Sequence, residues 1–310
     1  MSDPRHRWPG WKGKGMAIFT ENIGKVSVGE PVTWDRDAAL LYALSIGAGR
    51  PDATEGIEYT TENSFGVRQK VFPTFPVVLG GSGGSMDHLG DFKLHQILHG
   101  GQSLVLHREL APKGTVTPRS YMSAVYDQGK NAIIELTTEL VDPEGELVAT
   151  TVISMIIRGE TGYGPRPDGA GGWSDPASEP DVVFEQATSV DQALLYRLNG
   201  DRNPLHSDPV MASKVGFPRP VLHGLCTYGM AALALVRNSQ LLAERGLGSI
   251  NARFAAPVFP GQVLETRIWN TADGALFQVL ADGKIVLDRG VATAAAVAED
   301  AAELQDAAAK

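Results

Sequence analysis

The densest group of reactive side chains lies in Gly200-Asp201-Arg202-Asn203-Pro204-Leu205-His206-Ser207-Asp208-Pro209. A carboxylate, an amide and an imidazole fall within six positions there, and Pro204 and Pro209 make the segment a loop. On a bent loop Asp201 and His206 can converge on one water, the carboxylate taking a proton while the imidazole exchanges another. Asn203 can orient that water. The same residues would also serve as an ordinary helix end, with Asp and Asn closing turns. The second group is Phe217-Pro218-Arg219-Pro220-Val221-Leu222-His223-Gly224, leading into the apolar run Leu225 to Val236, which reads as a buried helix. Free N–H groups at a helix start can hold an oxyanion, and Gly224 lets a carbonyl approach without a Cβ in the way. The alternative is that Gly224 only opens a tightly packed helix.

Other groupings carry less chemistry. His88, His95, His99 and His107 are close in sequence, and His95 and His99 have the i, i+4 spacing of a zinc pair. No glutamate of an H-E-x-x-H motif accompanies them, so no metal site is expected. The run Leu79-Gly80-Gly81-Ser82-Gly83-Gly84-Ser85 is not followed by Lys-Ser or Lys-Thr. It reads as a plain loop or a pocket wall and not as a phosphate cradle.

The elements that must position these residues come from a chain of 310 residues with 27 basic and 36 acidic side chains, a net charge of −9. That balance argues against a nucleic-acid partner. The composition, 43% hydrophobic and 20% charged, supports a sizeable core. A single cysteine, Cys226, excludes an intrachain disulfide and a cysteine-rich metal cluster, and suits the cytoplasm. Apolar runs such as Met230 to Val236 are far shorter than the roughly 18 residues of a membrane span, so no membrane partner is expected.

The length resolves into two copies. Asp37 to Leu44 reads DAALLYAL and Asp191 to Leu198 reads DQALLYRL, agreeing at six of eight positions at an offset of 154 residues (37 to 191). Both read as buried helices stopped by Gly47 and Gly200. A second echo pairs His99-Gly100 with His223-Gly224, each followed by an apolar stretch that opens another element. Alternating runs then follow in each half. In the first they cover Tyr121 to Tyr126, Asn131 to Val141 and Glu146 to Arg158. In the second they cover Ile250 to Phe254, Val263 to Trp269, Leu276 to Leu280 and Ile285 to Thr293, with turns at Asp273-Gly274 and Asp282-Gly283.

The expectation is α+β: a helix cradled by an antiparallel sheet, twice, with the sheets joined edge to edge. The halves are 17–158 and 181–295, with an N-terminal arm over 1–16, a Gly/Pro/Ser-rich linker over 159–180 and an Ala-rich tail over 296–310. The copies are unequal. From the shared Tyr to the His-Gly pair is 57 residues in the first (42 to 99) and 27 in the second (196 to 223).

The run YRLNGDRNPLHSDP followed by GFPRPVLHGLCTYG resembles the hydratase 2 motif of the MaoC-like (R)-specific enoyl-CoA hydratases, a family that includes the hydratase part of peroxisomal multifunctional enzyme type 2. VLGGSGG, ILHGGQSL, LHRELAPKG and INARFAAPVFPGQ extend the resemblance over most of residues 20 to 295. It implies a double hot-dog fold with a catalytic C-terminal copy and an N-terminal copy that widens the acyl pocket. It further implies that Asp201 and His206 activate water, Asn203 helps to fix it, and the Gly224 N–H polarises a thioester carbonyl. The reaction would be syn hydration of a trans-2-enoyl-CoA to a (3R)-3-hydroxyacyl-CoA in fatty acid or related acyl-CoA metabolism. No metal or other cofactor is implied, since CoA belongs to the substrate. His99, Gly100 and Phe254 match positions that contact the CoA thioester, and related proteins often form homodimers.

One departure concerns CoA. Where the family often has Asp-Lys-Gly, this chain has Asp127-Gln128-Gly129-Lys130, so the cation for a phosphate is Lys130 displaced by two, or another such as Arg202 or Arg219. A steroid or bile-acid side-chain enoyl-CoA is an alternative substrate. Readings of other classes are a thioesterase or a non-catalytic acyl-CoA-binding protein with the same pocket.

Overall fold

The computed structural model describes residues 17–80, 88–93, 96–166 and 173–296. The arm over 1–16, the glycines after Gly80, His95 and nearly all of the tail lie outside the described residues.

The first half opens with β1 (Ser27–Val28), β2 (Val32–Trp34), α1 (Arg36–Ser45), α2 (Ile57–Thr60) and α3 (Pro76–Leu79). Four long strands follow: β3 (Ile97–Leu106), β4 (Gly114–Gln128), β5 (Asn131–Val141) and β6 (Leu147–Arg158). The second half runs β7 (Val182–Ala187), α4 (Gln192–Tyr196), α5 (Pro209–Lys214), α6 (Gly224–Asn238) and α7 (Gln240–Arg245). It closes with β8 (Leu247–Phe254), β9 (Val263–Thr271), β10 (Gly274–Ala281) and β11 (Lys284–Ala294).

All strands belong to one antiparallel sheet in the order β1-β4-β5-β6-β3-β8-β11-β10-β9-β7, with β2 also on β4. The halves therefore join edge to edge, where β3 pairs β8 from Gly101↔Arg253 to Val105↔Ser249. Pairing the two open edges leaves no exposed edge at the seam. The larger of two apolar clusters crosses it, with Trp34, Tyr42, Phe72 and Phe75 from the first half in the same core as Tyr196, Tyr228 and Phe277 from the second. This is the expected double hot-dog.

α6 is the helix that the second half of the sheet wraps. Its sequence GLCTYGMAALALVRN is apolar all round, as a helix buried on every side must be, and ten of its residues are buried. Among the described residues the first half has no helix of that length, so the two copies differ in the helix that each contributes. Among the described residues its counterpart region holds α2, α3 and irregular chain, within the longer spacing between Tyr42 and His99.

The repeated octapeptides form α1 and α4, and only one side of each is buried. Ala39 and Tyr42 face the core, as do Ala193 and Tyr196, while Leu44, Leu194 and Leu198 are exposed. The second copy tightens into a 3-10 turn at Arg197–Asn199 before Gly200, whose φ of 121° no other residue adopts readily.

The His-Gly echo is not a structural repeat. His223 precedes α6, whereas His99 and Gly100 lie within β3, at a bulge in its pairing with β6. β3 escapes the alternation rule because it is a central strand with neighbours on both edges and two glycines. A Cβ on Gly100 would stand 2.6 Å from Ile156 Cγ1, and one on Gly101 would stand 3.2 Å from the Ala252 carbonyl oxygen. The glycines admit these close neighbours.

The start of the linker is pinned. The Asp127 carboxylate accepts N–H bonds from Gly162, Tyr163 and Gly164, and the Tyr163 hydroxyl accepts one from Ile18 N–H.

Candidate active site

The loop after α4 is held by its own short polar side chains. The Asp201 carboxylate accepts from Asn203 N–H at 3.0 Å, and Asn203 Oδ1 accepts from Leu205 N–H at 3.0 Å, capping the 3-10 turn Pro204–His206. Asn203 thus spends its oxygen on the cap and presents its Nδ2 amino group as a donor.

His206 is held from the other side. Its Nδ1 lies 2.8 Å from the Val221 carbonyl oxygen. A carbonyl only accepts, so Nδ1 carries the proton and Nε2 is left as a bare acceptor. Burial pushes the His206 pKa down, keeping the ring neutral near pH 7. One donor or acceptor atom from each of Asp201, His206 and His223 lies within 4.8 Å of the others. A water hydrogen-bonded at about 2.8 Å to two such groups spans that gap.

The same three side chains have the residue types of a metal site, but the imidazoles of His206 and His223 are stacked, with centroids 3.7 Å apart and planes 24° apart. Stacked rings direct their in-plane lone pairs side by side, whereas a tetrahedral ion needs them to converge. Acid/base chemistry on a water suits the arrangement better.

Gly224 opens α6, and its N–H belongs to the first turn, which has no partner within the helix. Phe254, at the end of β8, covers it, since a Cβ on Gly224 would lie 3.0 Å from Phe254 Cε1. Phe254 in turn meets His99 edge to face at 4.7 Å between centroids. His99 is half-buried with its Nε2 out of contact with solvent, and the desolvation of its ring lowers its pKa to about 4. The β3–β8 seam is what brings His99 beside Phe254, from opposite halves of the chain.

Gly100 and Phe254 also line a cavity of about 400 Å³ whose wall includes Gln128, Arg166, Arg253 and Arg289. Arg166 pairs with Glu135 at 3.5 Å and Arg253 with Asp288 at 3.2 Å. Lys130 is exposed in the β4–β5 hairpin, two residues from Gln128. Arg202 is exposed on the loop after α4, and neither cation forms an ion pair among the described residues. Arg219 is engaged elsewhere, donating to the Pro260 carbonyl and lying over the Phe259 ring.

The structure therefore brings Asp201, Asn203 and His206 together on one loop, stacks His206 on the residue before Gly224, and packs Phe254 against both Gly224 and His99. It places Lys130 and Arg202 on the surface without a contact that fixes their role. Sequence reasoning missed His223, which packs on His206, and the arginines near Phe254. His223 had a signal, as the residue immediately before Gly224. The arginines had none, because they come from β8, β11 and the linker.

Comparison with known proteins agrees with this arrangement. Residues 33–159 match the MFE-2 hydratase 2 N-terminal domain and residues 174–287 match the MaoC like domain. The chain is 42% identical over 288 residues to 3-hydroxyacyl-thioester dehydratase Y of Mycobacterium tuberculosis, covering 89% of this chain and 98% of that protein. It is 36% identical to the peroxisomal enoyl-CoA hydratase 2 of Arabidopsis thaliana, covering 76% of this chain and 81% of the relative. The crystal structure of a MaoC-like dehydratase from Phytophthora capsici superimposes with a TM-score of 0.79 at 32% identity, over 92% of this chain and all of that one. With both domain types present in order and relatives matched over nearly their whole length, this chain belongs to the MaoC-like hydratase 2 family.

Proposed function

We propose that the protein is an (R)-specific enoyl-CoA hydratase that adds water reversibly to trans-2-enoyl-CoA thioesters, giving (3R)-3-hydroxyacyl-CoA, in fatty acid or related acyl-CoA metabolism. The observation that carries this reading is that the Asp201 carboxylate and a ring nitrogen of His206 lie within 4.8 Å of each other, with His206 stacked on His223, the residue that precedes Gly224 at the start of α6. Asp201 and His206 hold one water between them, with the Asn203 amino group as a further donor. The water's oxygen bonds to C3 of the enoyl group as the C2–C3 double bond opens. Its proton passes to the pair, and a proton returns from the pair to C2 on the same face, so the addition is syn. Negative charge that builds on the thioester oxygen is met by the Gly224 N–H at the positive end of α6. Hydration is redox-neutral, and the reading requires no cofactor or metal, CoA being part of the substrate.

The thioester lies along His99, Gly100 and Phe254 in this reading, with Lys130 and Arg202 as cations for the CoA phosphates. Homodimerisation is proposed from exposed apolar side chains at and beside the edge strand β7, namely Val183, Val190, Leu194 and Val263. A cytoplasmic location suits the single buried cysteine, Cys226.

The test follows loss of enoyl absorbance with crotonyl-CoA and with trans-2-decenoyl-CoA. An (R)-specific 3-hydroxyacyl-CoA dehydrogenase then reports the configuration of the product. Asp201→Asn should cut kcat by about 10²- to 10⁴-fold while butyryl-CoA still binds. Full turnover by that variant refutes the assignment of Asp201. Hydration of a steroid side-chain enoyl-CoA and of neither fatty thioester moves the substrate to that class, and release of free CoA identifies a thioesterase instead.

A further inference from the structure

His223 touches both His206 and Asp201 and has no assigned role in the site. It is 1% exposed and stands at the N-cap position of α6, yet its side chain does not cap that helix. One face of its ring lies on His206 at 3.7 Å, and Tyr196 packs on it at 5.0 Å. Its Nε2 is 3.3 Å from the main-chain oxygen of Asp201. Because that oxygen only accepts, Nε2 carries the proton and Nδ1 is bare, buried and without a hydrogen-bond partner among the described residues. Protonating Nδ1 would place an unpaired charge in dry packing against a second imidazole. His223 is therefore held neutral and is ill suited to exchange protons. What it does touch is both halves of the acid/base pair.

We propose that His223 is a positioning residue whose ring plate and Nε2–H together set the His206 imidazole and the Asp201 main chain at the separation that one water spans. This rests on the hydratase reading above. Val221, two residues earlier, holds His206 Nδ1, and Gly224, the next residue, supplies the oxyanion N–H. The four residues Val221 to Gly224 thus orient His206, support Asp201 and place the electrophilic donor. A shift of the segment would move all three relative to the substrate. Misplacement by about 1 Å can cost on the order of a hundredfold in rate without affecting binding.

Two variants separate the contacts. His223→Phe retains a flat ring on His206 and loses the N–H, whereas His223→Gln retains an N–H of similar reach and loses the plate. Both are assayed beside the wild type for kcat and KM with crotonyl-CoA and trans-2-decenoyl-CoA, for butyryl-CoA affinity and for thermal midpoint. The expected result is a fall in kcat of about tenfold or more in each variant. KM and butyryl-CoA affinity should stay within about threefold of the wild type, and the fold should remain intact. The inference is overturned if both variants keep kcat within twofold of an active wild type. It is equally overturned if kcat, butyryl-CoA binding and the folded signal are lost together in both, which would make His223 a packing residue. An inactive wild type is a separate outcome and defeats the hydratase reading itself.

Discussion

Tyr42 and Tyr196, which occupy the same place in the repeated octapeptide 154 residues apart, pack against each other with ring centroids 6.2 Å apart. The next equivalent pair does the same, as Asn199 Nδ2 donates to Ser45 Oγ at 2.8 Å across the same offset of 154. Contact between equivalent residues is the signature of a two-fold relation, here within one chain. Copies that share a core through their symmetry axis should unfold together. Tyr196→Ala should cost about 3–5 kcal/mol, the usual range for deleting a buried aromatic ring. Calorimetry should show one transition at a lower midpoint. Two separate transitions would refute the shared core.

The close fit of Gly224 under Phe254 makes Gly224→Ala informative. The new methyl would stand 3.0 Å from Phe254 Cε1 and displace the ring that packs on His99. We expect kcat/KM to fall by about tenfold or more with little change in thermal midpoint, because the backbone at 224 is ordinary helix. Activity within twofold of wild type would show that neither the N–H nor the ring position matters to the thioester.

Acid should destabilise the protein through its desolvated histidines. His99 and His223 have folded-state values near 4, below the ordinary 6.5, because burial disfavours their charged forms. Between pH 6.5 and 4 the unfolded chain binds protons that the folded chain refuses, so stability is complete above 6.5 and is lost as pH falls toward 4. The slope should reach roughly 1.4 kcal/mol per pH unit for each histidine. Urea midpoints should be level from pH 8 to 7 and then decline, and His99→Gln should flatten the decline. His206 is shifted the same way, so the acid limb of kcat/KM should lie below 6.5. A limb at or above 6.5 would contradict a base held neutral by burial.

Lys130 and Arg202 can be tested through the substrate. If they bind CoA phosphates, replacing either by Ala should raise KM for crotonyl-CoA severalfold, leave kcat unchanged, and have no effect on crotonyl-pantetheine, which lacks the nucleotide phosphates. Equal effects on both thioesters, or none on either, would pass the role to Arg166, Arg253 or Arg289 around the neighbouring cavity.

Much of the molecule is legible in the chain because its information is local. The duplicated octapeptide declares two copies, the turns at Asp273-Gly274 and Asp282-Gly283 delimit strands, and Asp201-x-Asn203-Pro204-x-His206 is a complete loop whose side chains bond within it. β3 was not legible, since two glycines and pairing on both edges erase alternation, and for that reason His99-Gly100 mimics the helix-opening pair at His223-Gly224. By itself the sequence determined the residue types of the Asp201–His206 loop, the glycine that opens α6 and the duplication. Only the tertiary structure decided that His223 packs on His206, that Phe254 covers Gly224, and that His99 crosses from the other half to meet it. Those contacts join residues far apart in the chain, and they exist because the β3–β8 pairing and the buried α6 bring separate segments to one point.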